Sequence, residues 1–169
     1  MTFEIRPRAA DDDAWVRALL EIRWGGEEIV VRGRRHLPAD LPGFVAWLGD
    51  ARVGLVTQRR VDATTAEVMS LDSLREREGI GSALLEAAAG RAAGEGARYL
   101  ALITTNDNLR ALGFYQRRGF RLRALWPGAV DEARLCKPSI PEVGESGIPL
   151  HDELELVREL AAAPGQRSP

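Results

Sequence analysis

The sequence predicts an α/β (α+β) fold, a central, mostly antiparallel twisted sheet flanked by helices, and three observations predict it. Short apolar or alternating runs suited to strands recur at Phe3 and Ile5 and over residues 44–48, 53–59, 66–71, 98–104 and 120–126. Between them apolar residues fall at helical spacing, most clearly Ile80, Ala83, Leu84, Ala87 and Ala88 at i, i+3, i+4, i+7 and i+8. A chain of 169 residues, 45% of them hydrophobic, suffices for one core and is short for two. The expected organisation is one domain over residues 1–160, with a tail over 161–169 frayed by its Ala, Pro, Gly and Ser content.

Phe3 and Ile5 alternate with polar neighbours as a first strand does. Asp11, Asp12 and Asp13 then supply a cap and dipole-matched charge for a helix reaching about Arg23, and Gly25-Gly26 ends it. From Glu27 to Pro42 the pattern is irregular and reads as a loop, with Ile29, Val30 and Val31 as a brief strand or helical turn. Gly49-Asp50-Ala51-Arg52 reads as a hairpin turn between the antiparallel strands at 44–48 and 53–59. A third strand at 66–71 precedes the helix at Ile80, which Gly94 and Gly96 terminate. Residues 98–104 form a buried strand, Thr105 or Asn106 caps a second helix ending near Gly119, and 120–126 form the next strand. Residues 130–137 fit a helix. Leu154 and Leu156 alternate with Glu153 and Glu155 as in a strand, although Leu154, Val157 and Leu160 also fit a helical stripe; the strand is the preferred reading.

Charge and cysteine content narrow the function classes. With 23 basic against 25 acidic residues the net charge is -2, so no polyanion-seeking field points to nucleic acid. Cys136 stands alone, which rules out an intrachain disulfide and leaves no Cys/His cluster with zinc spacing, so no metal is expected. Charges interrupt every run that could reach the ~20 residues of a membrane span, and the opening residues lack the apolar core of a signal peptide. A cytoplasmic protein, monomer or homodimer, is expected.

The most informative stretch is Glu76-Arg77-Glu78-Gly79-Ile80-Gly81-Ser82, a glycine pair at the mouth of a helix that follows a strand. A helix N-terminus presents unpaired N–H groups and partial positive charge, and small residues let a pyrophosphate approach the backbone. The Ser82 hydroxyl adds one donor. A dinucleotide fingerprint fails because Leu84 replaces its third glycine, and neither a Walker loop nor a serine-hydrolase elbow is present. His36 and His151 have no nucleophile motif beside them and read as surface histidines.

Taken with Asn108-Leu109-Arg110-Ala111-Leu112-Gly113-Phe114-Tyr115 and Gly119-Phe120, residues 67–120 resemble the acyl-CoA-binding core of the GNAT family, the Gcn5-related N-acetyltransferases. That family's loop reads Gln or Arg, two residues, Gly, one residue, Gly or Ala; here Gly79 and Gly81 match, Glu76 takes the first position and Arg77 comes one place late. The resemblance implies a splayed strand pair and acetyl-CoA as cosubstrate. It places Arg77, Glu78, Gly79, Ile80, Gly81 and Ser82 at the diphosphate, and Val68, Met69, Ser70 and Leu71 along the pantetheine arm through their main chain. Asn108 and Ala111 match the family's Asn-x-x-Ala, and Tyr115 falls where a tyrosine protonates the departing thiolate. A neutral amine must attack, so a base is needed. Glu67 is the candidate, because strand alternation puts it on the face of Met69 and Leu71; Asp72, His36 and His151 are weaker ones. The implied reaction is direct acetyl transfer, in a ternary complex, to a primary amine of a small molecule or protein. Two alternatives stay open, a non-catalytic acyl-CoA-binding module and an interaction domain without cofactor. Arg32-Gly33-Arg34-Arg35-His36 reads as a solvated loop on the acceptor side, with steering of an anionic acceptor or contact with the cofactor's 3'-phosphate as the alternatives.

Overall fold

A computed structural model describes residues 2–161 of the chain; the tail expected to fray lies, apart from its first residue, outside them. In chain order the elements are β1 (Glu4–Pro7), α1 (Asp13–Trp24), β2 (Ile29–Val31), β3 (Arg34–His36), β4 (Gly43–Leu48), β5 (Ala51–Arg60) and β6 (Thr65–Ser73). After these come α2 (Ile80–Gly94), β7 (Tyr99–Thr105), α3 (Leu109–Gln116), β8 (Arg121–Trp126), α4 (Ala129–Cys136) and β9 (Glu153–Glu159). Seven strands form one sheet in the order β1-β4-β5-β6-β7-β9-β8, and β2 and β3 pair with each other as a separate hairpin. Every neighbouring pair is antiparallel except β6 and β7.

The core divides between the two faces of the sheet. On one, α2 buries Ile80, Leu84, Leu85, Ala88, Ala89 and Ala92 against Val56, Val68, Leu100 and Leu156. Its alanines bring helix and sheet close, and Gly54 of β5 is needed beneath it, since a Cβ there would lie 2.9 Å from both Ile80 Cγ2 and Leu84 Cδ1. Burying one such leucine stabilises the fold by about 1.5–3 kcal/mol. On the other face, Val16, Leu19 and Leu20 of α1 pack on Val45 and Leu55.

Two irregularities of β6 open the sheet at its centre. Its parallel ladder with β7 runs from Thr65↔Tyr99 to Val68↔Leu102 and stops, although β6 continues to Ser73 and β7 to Thr105. On its other edge Ser70 pairs with Thr57 and Val68 with Gln58, which leaves Met69 as the extra residue of a bulge. Beyond Val68 the two strands part.

Several local expectations change. Asn108, not Thr105 or Asn106, caps α3, its side chain accepting from Ala111 N at 3.0 Å. Asn106 instead braces the approach to β9, donating to Pro149 O at 2.8 Å and accepting from the backbone of His151 and Asp152 at 3.0 and 2.9 Å. Asp12 does not cap α1: a 3-10 turn over Ala10–Asp12 precedes the helix, and its carboxylate accepts from Ala9 N and Arg52 Nε. The loop expected at 27–42 contains the β2–β3 hairpin. The last segment is a strand because each of its two faces has a side to cover: Leu156 enters the core under α2 while Glu153 and Glu155 face away. Among the described residues, no helix is long and apolar enough to cross a membrane, and no group of three or more His, Cys, Asp or Glu could hold a metal.

Candidate active site

The parting of β6 and β7 opens a cleft of about 520 Å³ beside the N-terminus of α2. Of the residues singled out from the sequence, Leu71, Arg77, Gly79, Ile80, Gly81, Ser82, Asn108, Ala111 and Tyr115 line it. Gly79 is the N-cap of α2 with φ 83°, a left-handed conformation that glycine adopts freely, and no side chain caps the helix. Arg77 is also left-handed, with φ 64°, which costs a non-glycine residue of order 1 kcal/mol. Packing demands less at Gly81, where a Cβ would meet Phe114 at an ordinary 3.5 Å. Glu78 lies outside the cleft lining, 3.7 Å from Arg75.

Val68, Met69 and Ser70 present no side chain to the cleft. Val68 enters the core under α2, and the Ser70 hydroxyl bonds that of Thr57 at 2.7 Å on the opposite face. The main chain of Met69 and Ser70 follows the last β6–β7 pair at Val68 and runs along the gap, and Met69 has a register partner on neither neighbour.

Sequence reading missed the density of arginine. Arg23, Arg75, Arg110, Arg117 and Arg118 join Arg77 in lining the cleft, against the carboxylates of Glu76 and Glu145. Arg118 donates to Ser82 Oγ from Nε at 2.9 Å and Nη2 at 2.6 Å, and its guanidinium lies 3.6 Å from the Phe114 ring centroid. Ser82 therefore accepts twice and keeps its own proton to donate. The available signal was helical spacing, since Arg110, Phe114 and Arg117 recur at i, i+4 and i+7 through α3.

Tyr115 is half-buried, edge-on to Phe114 at 5.2 Å and to Phe120 at 5.6 Å between ring centroids. Burial, reinforced by the charge of Asp72, pushes its hydroxyl well above the usual phenol range, so it stays protonated. Asp72 belongs to the opposite face of the sheet, where Arg23 Nε is 3.3 Å from Oδ1 and Trp24 Nε1 donates to Oδ2 at 2.7 Å. The gap thus puts the two faces in electrostatic contact.

Glu67 is not placed as expected. The bulge at Met69 shifts the alternation by one, so Ala66, Val68 and Leu71 share the α2 side while Glu67, Ser70 and Asp72 face away. Glu67 is 1% exposed, and its carboxylate accepts from Arg32 Nη2 at 2.6 Å and from Arg59 Nε at 2.8 Å. Both oxygens face guanidinium donors, which leaves it poorly placed to receive a proton.

The opposite face carries a charged cluster under the β2–β3 hairpin. Arg32 at the hairpin tip bridges Glu67 and, at 3.9 Å, Glu155, while its guanidinium lies 5.5 Å from the Trp126 ring centroid. Arg123 grips Glu155 in a bidentate pair at 2.8 and 2.6 Å. Glu153 accepts one hydrogen bond, from the backbone N–H of Arg32 at 3.0 Å. The stretch from Arg32 to His36 is therefore an anchored hairpin rather than a solvated loop. His36 is half-buried with Nε2 enclosed and unpartnered among the described residues; burial and then the Arg59 charge push its pKa below the ordinary histidine value. His151 is exposed, with Nδ1 3.0 Å from both oxygens of Asp131.

Comparison with known proteins agrees with this geometry. Residues 9–120 match the Acetyltransferase (GNAT) family. The chain is 41% identical over 146 residues to the uncharacterized protein YxbD of Bacillus subtilis, spanning 86% of this chain and 91% of that one. It is 27% identical over 120 residues to the uncharacterized N-acetyltransferase YvbK of the same organism, spanning 69% and 74% of the two chains. Among solved structures, the IAA acetyltransferase of Bacillus cereus superposes with TM-score 0.69 at 22% identity, over 94% of this chain and 100% of that one. A GNAT family acetyltransferase of Elizabethkingia anophelis with acetyl-CoA bound gives TM-score 0.66 at 20% identity, over 94% and 98% of the chains. The fold and its cleft define an acetyltransferase architecture. The chain belongs to the GNAT family.

Proposed function

We propose that this protein transfers an acetyl group from acetyl-CoA to a primary amine by direct attack in a ternary complex. The observation that carries the proposal is the parted β6–β7 pair, with Tyr115 at the gap and the uncapped N-terminus of α2 beside it. In this reading the amides around Gly79, Ile80, Gly81 and Ser82 receive the diphosphate, aided by Arg77, Arg118 and the Ser82 hydroxyl. Leu71 and the main chain of Met69 border the pantetheine arm, and the Asn108–Ala111 turn holds the start of α3 against it. The Met69 N–H, at the bulge where the register skips a residue, is the donor we assign to the developing oxyanion.

The amine comes from the opposite face, and its nitrogen bonds the acetyl carbon as the C–S bond breaks. Its proton leaves to a base, and Tyr115 donates to the departing thiolate. A desolvated thiolate is a stronger base than one in water, which offsets the high pKa of a buried phenol. Thermal unfolding with and without CoA or acetyl-CoA tests the reading: a ligand about 100-fold above Kd should add about 2.7 kcal/mol. No shift at millimolar ligand would remove it. A second reading, a non-catalytic acyl-CoA-binding module, is favoured by the pairing of Glu67 with two arginines; thiol release in the presence of amines decides between the two.

A further inference from the structure

We propose that Glu153 is the general base that takes the proton of the attacking amine, an assignment that rests on the acetyltransferase reading above. Glu153 opens β9, in register with Thr105 at the end of β7 and with Trp126 at the end of β8. β6 and β7 diverge toward that end of β7, so Glu153 stands one strand beyond the gap, across the end of β7, on the face opposite the cleft.

Three neighbouring carboxylates on that face are engaged. Glu67 is held by Arg32 and Arg59, Glu155 by Arg123, and Asp72 by Arg23 and Trp24. Glu153 is different. It is 3% exposed, yet its only hydrogen bond from a described residue is that of the Arg32 backbone N–H to Oε2. Oε1 receives none, and no described guanidinium or ammonium forms an ion pair with the group.

A buried carboxylate with a free oxygen and no direct counter-ion is suited to accept a proton. Burial raises Glu153 above the usual carboxylate range; the backbone N–H and charge of Arg32 oppose the shift, and Glu67 adds to it. That moves the group toward the pH at which general bases work best. The surrounding groups are Arg32 from the hairpin, Glu67 from β6, Thr105 from β7, Trp126 from β8 and Glu155 along β9.

The step balances. The bound alkylammonium first gives one proton to Oε1 of Glu153, which sheds it to solvent; the neutral nitrogen then bonds the acetyl carbon and gives its second proton to Oε1, the C–S bond breaks and the thiolate takes the proton of Tyr115. Return of one proton from Glu153 to Tyr115 through solvent restores both. The acceptor class is an alkylamine that is mostly protonated at neutral pH, like a lysine side chain near ~10.4.

The test uses the full-length protein, its Glu153→Gln and Glu153→Asp variants, and thiol release from acetyl-CoA with propylamine or hydroxylamine. Hydroxylamine is already neutral near pH 7 and needs little help from a base. Glu153→Gln should keep the wild-type thermal shift with acetyl-CoA, lose about 100-fold in kcat/KM with propylamine and lose under about tenfold with hydroxylamine. The acid limb of the propylamine pH profile should vanish, and Glu153→Asp should recover part of the rate.

Equal losses with both amines, or a Glu153→Gln rate within about threefold of wild type with propylamine, would overturn the assignment. So would an acid limb that disappears in His36→Asn and persists in Glu153→Gln. Absence of thiol release from wild type with either amine overturns it while leaving acyl-CoA binding intact. Absence of any acetyl-CoA thermal shift sinks the acetyltransferase reading itself, and this proposal falls with it.

Discussion

Arg118 and Ser82 tie the two walls of the cleft together, the guanidinium donating twice to the hydroxyl at 2.9 and 2.6 Å. The pair joins the first turn of α2 to the turn just past α3. Arg118→Ala removes this link and a cation from the diphosphate region. Affinity for CoA, measured by calorimetry, should fall about 10- to 100-fold, in keeping with the ~1.5–3 kcal/mol of a hydrogen bond to a charged group. Ser82→Ala should cost less, because the arginine itself remains.

Tyr115 has no hydrogen-bond partner for its hydroxyl among the described residues, so Tyr115→Phe should leave urea stability near neutral pH within about 0.5 kcal/mol of wild type. Turnover should drop by about 100-fold if the phenol supplies the proton. The pKa is raised in the folded state, so its contribution to stability is present below the unfolded value near ~10 and is lost as pH rises beyond it. Alkaline unfolding should therefore begin at higher pH in the phenylalanine variant.

Glu67 answers to a different measurement. Replacing it by Gln leaves the guanidiniums of Arg32 and Arg59 facing a neutral group, and breaking a buried pair from one side costs about 3 kcal/mol or more. A lowered urea midpoint is expected. Unchanged stability would refute its assignment as an anchor of sheet and hairpin.

His36 sets an acid-side dependence. Its folded pKa is depressed, so the unfolded chain binds a proton first and stability falls as pH drops through the unfolded value near ~6.5. His36→Gln should flatten the stability profile between about pH 7 and pH 5. A profile as steep as wild type would show that the imidazole is not responsible.

The cofactor side of this protein was legible in its sequence because local chemistry writes it there. Glycines 79 and 81 announce a helix mouth, and the periods of α2 and α3 place Tyr115 on the wall facing it. The opposite face was not legible. One inserted residue at Met69 reverses the alternation that assigned Glu67 its face, and a bulge of this kind carries no residue signature of its own in a strand of mixed polarity. The hairpin at 29–36 was equally opaque, since short strands anchored by Arg32 and Lys137 carry too few alternating positions to read. Glu153 looked like half of an alternating pair, and only the partners assembled around it set it apart from Glu155.

The bulge also divides β6 into two reading frames. Upstream of Met69 the even positions touch the helix layer, and downstream the odd ones do, so a single strand presents independent sets of side chains to the two faces of the sheet. Substitutions at 67 and 70 can therefore retune one face while 66, 68 and 71 hold the other constant, whereas one at 72 also changes the charge felt by Tyr115. Deleting Met69 would merge the frames into one continuous ladder with β5 while leaving Ser70, Leu71 and Asp72 on the sides they now occupy.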